Sequence, residues 1–339
     1  MMMDSGALRI INGLQSGFPL VLRPFVQAGA RLGMREEALI QGIDALLGDG
    51  VLTRFGPFYN AERMGGGVTL AAIRVPADDY EAVAALVNAQ PEVAHNYARE
   101  HALNMWFVVA TERKDQVSGV LARIAALTGL EVFDLPKIEE YRLGFQLQVG
   151  EDGGIDTRPM VDGTVEESPE EGPPDSLDRG VIAATQAGLP LVPEPYSVVA
   201  ESLGVTVEDL LDRMNRMMRR GWIRRIGVAT NHYRLGLRGN GMSVWNVPDE
   251  RVSGLGRRLA GLDCVTHCYR RPRHLPDWPY NLFVMVHGPD RGSVEEKIGL
   301  LQTVLGADDC GHMVLHSTRI LKKTGLRFKS PGAMDGCSA

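Results

Sequence analysis

One pattern occurs twice in this chain, and the repetition limits the fold more than any other feature. Residues 93–99 read VAHNYAR and residues 265–271 read VTHCYRR, so His95, Tyr97 and Arg99 recur as His267, Tyr269 and Arg271. Asn104-Met-Trp-Phe-Val-Val is echoed by Asn281-Leu-Phe-Val-Met-Val, and GVLTRFG (50–56) by GWIRRIG (221–227). A repeat this long means two copies of one structural unit, each helping to bury the other. Read as a strand, His267, Tyr269 and Arg271 share one face, because alternate side chains point the same way. Pro272, Pro276 and Pro279 then force a loop before Asn281–Val286 returns as an apolar strand. The second copy has the longer loop, with PDWPY as the extra material.

In each copy a helical unit precedes a strand-rich one. Leu8, Ile11 and Leu14, then Ala38, Leu39, Ile43, Leu46 and Leu47, recur with helical spacing, with a tight turn at Leu32-Gly33-Met34 and a strand from Val51. This is a winged helix-turn-helix pattern. The following segment predicts β-α-β-β-α-β, the ferredoxin-like split unit, with Tyr80, Val83, Leu86 and Val87 inward on its first helix. Tyr141–Val149 reads as a further edge strand. After residue 176 the series restarts, with Thr206 as a helix N-cap and Asp209 at the capping-box position. The expected class is α+β: winged helix-turn-helix 1–60, ferredoxin-like domain 61–149, acidic flexible linker 150–176, winged helix-turn-helix 177–228, ferredoxin-like domain 229–328 and a disordered tail 329–339. The two copies are expected to pack as an internal pseudo-dimer.

The net charge of −6 hides an uneven distribution. Residues 150–176 hold nine acids and one base, so the remainder of the chain is slightly basic. No apolar run approaches the roughly 20 residues of a membrane span. The N-terminus shows no basic region followed by an apolar stretch, which predicts a cytoplasmic protein. Four cysteines in 339 residues make no disulfide framework. Cys264 and Cys268, spaced C-x3-C, fit no zinc signature and read as buried thiols. No dinucleotide, Walker, nucleophile-elbow or HExxH motif is present.

The stretch 265–287 concentrates three histidines, three arginines, two tyrosines and a tryptophan. Arginine forks grip carboxylates and aromatic faces stack on planar rings, so this composition suits a flat ligand bearing several carboxylates. Residues marked as ligand-facing are Arg224, Arg225, His232, Arg234, Asn240, His267, Tyr269, Arg270, Arg271, Arg273, His274, Trp278, Tyr280, Asn281 and His287. His287, at the end of an apolar strand, reads first as a packed, capped histidine. Arg54, His95, Tyr97 and His101 are weaker counterparts in the first copy, which lacks PDWPY. One working site is expected, centred on the second copy and walled by the first.

A winged helix joined to a ferredoxin-like domain resembles the Lrp/AsnC regulators, which bind DNA through the helix-turn-helix. The charges argue against DNA here. The recognition helices would begin with Glu36 and Glu37, and with Glu208, Asp209 and Asp212, where phosphates would repel them. These helices are expected to join the two halves instead.

RRIGVATNHYRLGLRGNGMSVWNVPDE (224–250) and HCYRRPRHLPDWPYNLFVMVHG (267–288) resemble the siroheme decarboxylases of the same superfamily. LTRFGPFYNAERMGG (52–66) and YAREHALNMWFVVATE (97–112) resemble the partner subunit of that enzyme, so the chain looks like a natural fusion of the two. The resemblance implies loss of two acetate carboxyls from siroheme; His232 and His267 are read as supplying the acid or positioning water, with a histidine ligating the iron as the alternative. Arg225, Arg271 and Arg273 would hold carboxylates, while Tyr269, Trp278 and Tyr280 shape the pocket. It also implies no added cofactor and no metal beyond the substrate iron, and partner decarboxylase subunits or a homo-oligomer. Two alternatives stand beside it: a haem- or siroheme-responsive regulator, and a siroheme carrier.

Overall fold

The computed structural model describes residues 3–160 and 172–323. The expected tail and the middle of the expected acidic linker lie outside these residues.

The first helical unit is α1 (Ser5–Gly13), α2 (Pro24–Leu32) and α3 (Glu36–Gly48), followed by β1 (Leu52–Tyr59). Asp4 caps α1 by accepting from the Ala7 amide at 2.7 Å. Pro24 opens α2, and Gly33, at φ 63°, closes it in the left-handed conformation that glycine adopts without strain. The first sheet unit runs β2 (Gly67–Ile73), α4 (Tyr80–Ala89), β3 (Val93–Arg99), β4 (Met105–Thr111), α5 (Val117–Thr128), β5 (Val132–Pro136) and β6 (Glu139–Leu143). A hairpin, β7 (Phe145–Val149) and β8 (Ile155–Pro159), follows. The second copy restarts with α6 (Ser176–Thr185), α7 (Pro195–Leu203), α8 (Val207–Arg219) and β9 (Ile223–Thr230). A short α9 (His232–Leu235) leads into β10 (Gly239–Trp245), α10 (Val252–Ala260), β11 (Val265–Arg270), β12 (Leu282–Gly288), α11 (Arg291–Leu305) and β13 (His312–Lys323).

The wing strands do not fold back on their own helices. β1 pairs antiparallel with β9, with Gly56 opposite Gly227 at the centre of the ribbon. A Cβ on Gly227 would come 2.2 Å from the Leu14 carbonyl oxygen, so only glycine lets α1's end approach the ribbon. Ile10, Ile11, Phe25 and Ile43 share one core with Val181, Tyr196, Leu210 and Met214. The helical units therefore join the halves.

The main sheet has nine strands in the order β5-β2-β4-β3-β13-β10-β12-β11-β6. β5 and β6 lie at its opposite edges, yet only Lys137 and Ile138 separate them in sequence, so the sheet must curl round on itself. β13 pairs with β10 through His312–His316 and with β3 through Ser317–Lys323. β5 and β6 do the same work in the first copy, pairing with β2 and β11. Each copy thus lends its last strand to the other. Helices α4 and α5 pack on the outer face of the first half, and α10 and α11 on that of the second. The inner face is one shared core containing Leu70, Trp106 and Phe133 from the first copy and Val244, Trp278 and Phe283 from the second. On α4, Ala84 rather than the expected Leu86 is buried; Leu86 is 38% exposed.

Part of the expected linker is ordered structure. At Gly144 (φ 99°) the chain turns from β6 into the β7–β8 hairpin. Side-chain amides of Asn12 in α1 and of Gln15 just beyond it bind the backbone of β7. Asn12 donates to the Val149 carbonyl and accepts from its amide, both at 2.9 Å, and Gln15 does the same for Leu147 at 2.6 and 2.8 Å. Leu147 and Val149 are buried in the helical core, which composition alone does not reveal.

Candidate active site

The N-terminal ends of β3 and β11 carry His95 and His267, and both line a cavity of about 450 Å³. The ribbon contributes Phe58, Tyr59, Arg224 and Arg225 to its wall; β2 and β4 contribute Val68, Val108 and Ala110. Leu143, Gly144, Phe145 and Met160 complete it. The cavity is thus built from both copies.

The ladders show which residues are equivalent. Five residues beyond the central glycines of the ribbon stand Ala61 and His232. The second rung of each following ladder pairs Val68 with Ala110 in the first copy and Asn240 with His287 in the second. His95 and His267 follow the same bulge in β3 and β11, opposite Val108 and Met285. The second copy therefore carries His232, Asn240, His267 and His287 where the first carries Ala61, Val68, His95 and Ala110. His95 and His267 line the cavity, while His232 and His287 lie against Phe145, which lines it.

Phe145 sits among the histidines. Its ring centroid lies 4.8 Å from that of His287, 6.3 Å from His267 and 6.4 Å from His232. The His232 and His287 rings are 5.5 Å apart. Burial pushes His95, His232 and His267 down to about 4. Lys323 adds to the shift at His95 and His232, while Glu140 opposes it at His267. His287 is held well below the usual range, first by burial and then by its histidine neighbours. The rings are neutral at pH 7. His95 Nδ1, His232 Nε2 and Asn240 Oδ1 are buried without a hydrogen-bond partner among the described residues.

The expected ligand-facing residues separate into two groups. Arg224 lines the cavity, 3.9 Å from Glu140. Arg225 lines it too, its guanidinium 3.5 Å from the Phe58 ring centroid and donating to the Gln15 and Val228 carbonyls. Arg54 stacks on the other side of the ribbon's Phe58 system at 4.1 Å and donates to Gln186. Tyr97 lies 6.2 Å from the His95 ring, and its hydroxyl is pushed upward by burial. Tyr269 packs against the shared inner core, with Arg271 over its ring at 5.1 Å.

The proline-rich loop stands at the far end of β11 and β12, where Arg270 pairs with Leu282, away from His267. Most of its polar groups meet protein groups, although Arg271 Nε and Trp278 Nε1 are buried without a hydrogen-bond partner among the described residues. Arg270 pairs with Glu139 at 3.1 Å, and Arg271 donates to the Leu135 carbonyl. Arg273 binds Asp249, Asn246, Val247 and Pro279. His274 meets the Asp134 carbonyl at 2.6 Å, and Asn281 is buried against Val247 and Asp249. Trp278 is fully buried beside Trp106 and His101, with Tyr280 at 5.0 Å. The loop therefore closes one end of the curled sheet, and the histidines stand at the other. Phe145 and Thr266 escaped the sequence reading. Aligning the repeats residue by residue would have exposed the second, since Ala94 stands where the second copy has Thr266.

Comparisons with known proteins match this architecture. Residues 63–142 and 234–322 match the AsnC-like ligand binding domain, and residues 8–52 and 178–224 match the siroheme decarboxylase NirDL-like HTH domain. The siroheme decarboxylase NirDL subunit of Paracoccus denitrificans is 33% identical over 98% of this chain and 100% of its own length. The chain belongs to the siroheme decarboxylase family. A siroheme decarboxylase NirH subunit from Paracoccus pantotrophus is 53% identical over 46% of this chain and 97% of its own. A crystal structure of the siroheme decarboxylase NirDL with an iron-uroporphyrin III analogue superposes with a TM-score of 0.70 at 28% identity, covering 96% of this chain and 94% of that one. Among siroheme decarboxylases this chain is thus a fused, single-chain form.

Proposed function

We propose that the chain decarboxylates siroheme, removing two acetate carboxyls as CO2 to give 12,18-didecarboxysiroheme for the d-type haem of nitrite reductase. The observation that carries this reading is that His95, His267, Arg224 and Arg225 line one cavity, with His232 beside its Phe145 wall, and that His95 Nδ1, His232 Nε2 and Asn240 Oδ1 are buried without a partner among the described residues. Each such group costs about 1–3 kcal/mol, a cost that a polar ligand offsets.

The chemistry follows from the wall. The carbon–carboxyl bond breaks, CO2 leaves, and the electron pair remains on the methylene carbon beside the conjugated macrocycle. A proton delivered to that carbon makes the methyl group. His232 and His267 are the donors we assign. Burial keeps both rings neutral, and a substrate carboxylate next to either would favour the charged imidazolium. The iron arrives with the substrate, and no separate cofactor is assigned. A tetrapyrrole needs the upper part of the usual pocket range of about 300–1,000 Å³. Phe145 lines the cavity of about 450 Å³ among these histidines, and we assign it as the side chain that makes way for the macrocycle.

No helix among the described residues is long and apolar enough to cross a membrane, and we place the reaction in the cytoplasm. Glu36 opens α3 with its carboxylate held by Arg23, which disfavours DNA as a partner. The subunit names of the relatives favour assembly with further decarboxylase subunits. Anaerobic incubation with siroheme and mass spectrometry of the tetrapyrrole test the activity. Product lighter by two CO2 supports it; siroheme bound but unchanged makes the chain a carrier, or a regulator if operator DNA also binds.

A further inference from the structure

We propose that Thr266 is a positioning residue that locks His267 and His287 into the same tautomer and joins them as one proton-handling pair. The Thr266 side chain is buried at the bulge of β11. Its hydroxyl donates to the Met285 carbonyl at 3.0 Å. That spends its only proton. The same oxygen lies 3.1 Å from His287 Nδ1 and 3.1 Å from His267 Nδ1. With no proton left to give, it accepts from both, using its two lone pairs. Both rings therefore carry the proton on Nδ1, and both present an unprotonated Nε2. A hydroxyl behind an imidazole fixes ring orientation and the reactive nitrogen in the way outer partners of ligand histidines do.

The first copy supplies an internal control. Ala94 occupies the position of Thr266 and has no hydroxyl to offer, and there His95 Nδ1 is buried without a partner. The histidine recurs, but the group that would fix its tautomer does not. His287, whose strand-end position reads as packing, becomes part of the proton-handling wall through the same hydroxyl.

The kinetic part of the test rests on the decarboxylase reading; the spectroscopic part does not. In 15N-histidine-labelled protein at neutral pH, long-range 1H–15N spectra separate the two tautomers. His267→Gln and His287→Gln assign the two rings. Wild type should show both as Nδ1–H, Thr266→Ser should match it, and Thr266→Val should show mixed or Nε2–H rings. With siroheme, Thr266→Val should lose about 10–100-fold in kcat with KM nearly unchanged, and Thr266→Ser should recover most of it. Nε2–H rings in wild type, or Thr266→Val spectra identical to wild type, overturn the proposal without touching the assigned activity. If wild type leaves siroheme unchanged while the tautomers are as stated, the activity reading fails and the tautomer assignment stands.

Discussion

The two walls of the cavity come from one repeated pattern, yet they differ in chemistry. The second copy presents His232, Asn240 and His287 where the first presents Ala61, Val68 and Ala110. Only His95 and His267 are common to both. The backbone kept its symmetry, down to Asn60 and Asn231, whose amides donate to Trp222 and Val51 across the ribbon at 2.8 Å each. Histidines are concentrated in the second copy. The first copy contributes shape: small apolar residues that leave open volume where the second places histidines. One duplicated frame thus carries histidines in its second copy at positions where the first carries small apolar residues.

The largest effect should come from removing the two histidines we assign as proton donors. His232→Ala with His267→Ala should lower CO2 release by about 10²–10⁴-fold, the usual contribution of positioned acid–base groups. Residual activity near wild type would move the acid elsewhere. His287→Ala, which makes the second copy resemble the first at that rung, should cost about 10-fold or more in kcat. Phe145→Ala should act in the opposite direction on binding. If the empty enzyme must displace this ring, its removal should tighten siroheme binding several-fold, measured by absorbance titration. Weaker binding would make Phe145 part of the bound site rather than an occupant of the empty one.

Acidity gives a gentler probe. Unfolded histidines titrate near 6.5, whereas His95, His232 and His267 are held to about 4 in the folded chain. Between those values the unfolded state binds more protons, so stability should fall as pH drops from about 6.5 toward 4 and stay flat above. Urea midpoints across that range read the slope, and His267→Gln should reduce it. The smallest effect should come from the converse exchange. Ala61→His with Ala110→His should change kcat by less than about twofold, because Ala94 leaves both His95 and the new ring at 110 without the hydroxyl that Thr266 supplies to His267 and His287. A large gain would mean that the first wall lacks histidines alone.

Much of the frame was legible because it rests on local signals. The repeat, the β-α-β-β-α-β order and the Thr206 cap, which accepts from the Asp209 amide at 3.1 Å, all follow from neighbouring residues. The alternation that set His267 and Tyr269 on one face also matches the inner face of the sheet. What the sequence concealed depends on long-range pairing. β6 finds β11 across the sheet, and β7 finds α1, so Phe145 reaches histidines more than eighty residues away in the chain. The arginines beside PDWPY could not be placed from the sequence for a related reason. Basic and aromatic residues suit a carboxylate ligand, but they equally suit carbonyls and buried rings, and only the fold showed that Arg271, Arg273 and Trp278 meet the latter.

His95 and His267 hold equivalent positions, so comparing them tests the unequal walls most directly. The measurement is a time course of siroheme decarboxylation by mass spectrometry for His95→Ala and for His267→Ala. Unequal walls predict that His267→Ala blocks both losses of CO2 while His95→Ala still completes both. If each variant stops after one loss, the two walls work as two separate sites and the account is contradicted.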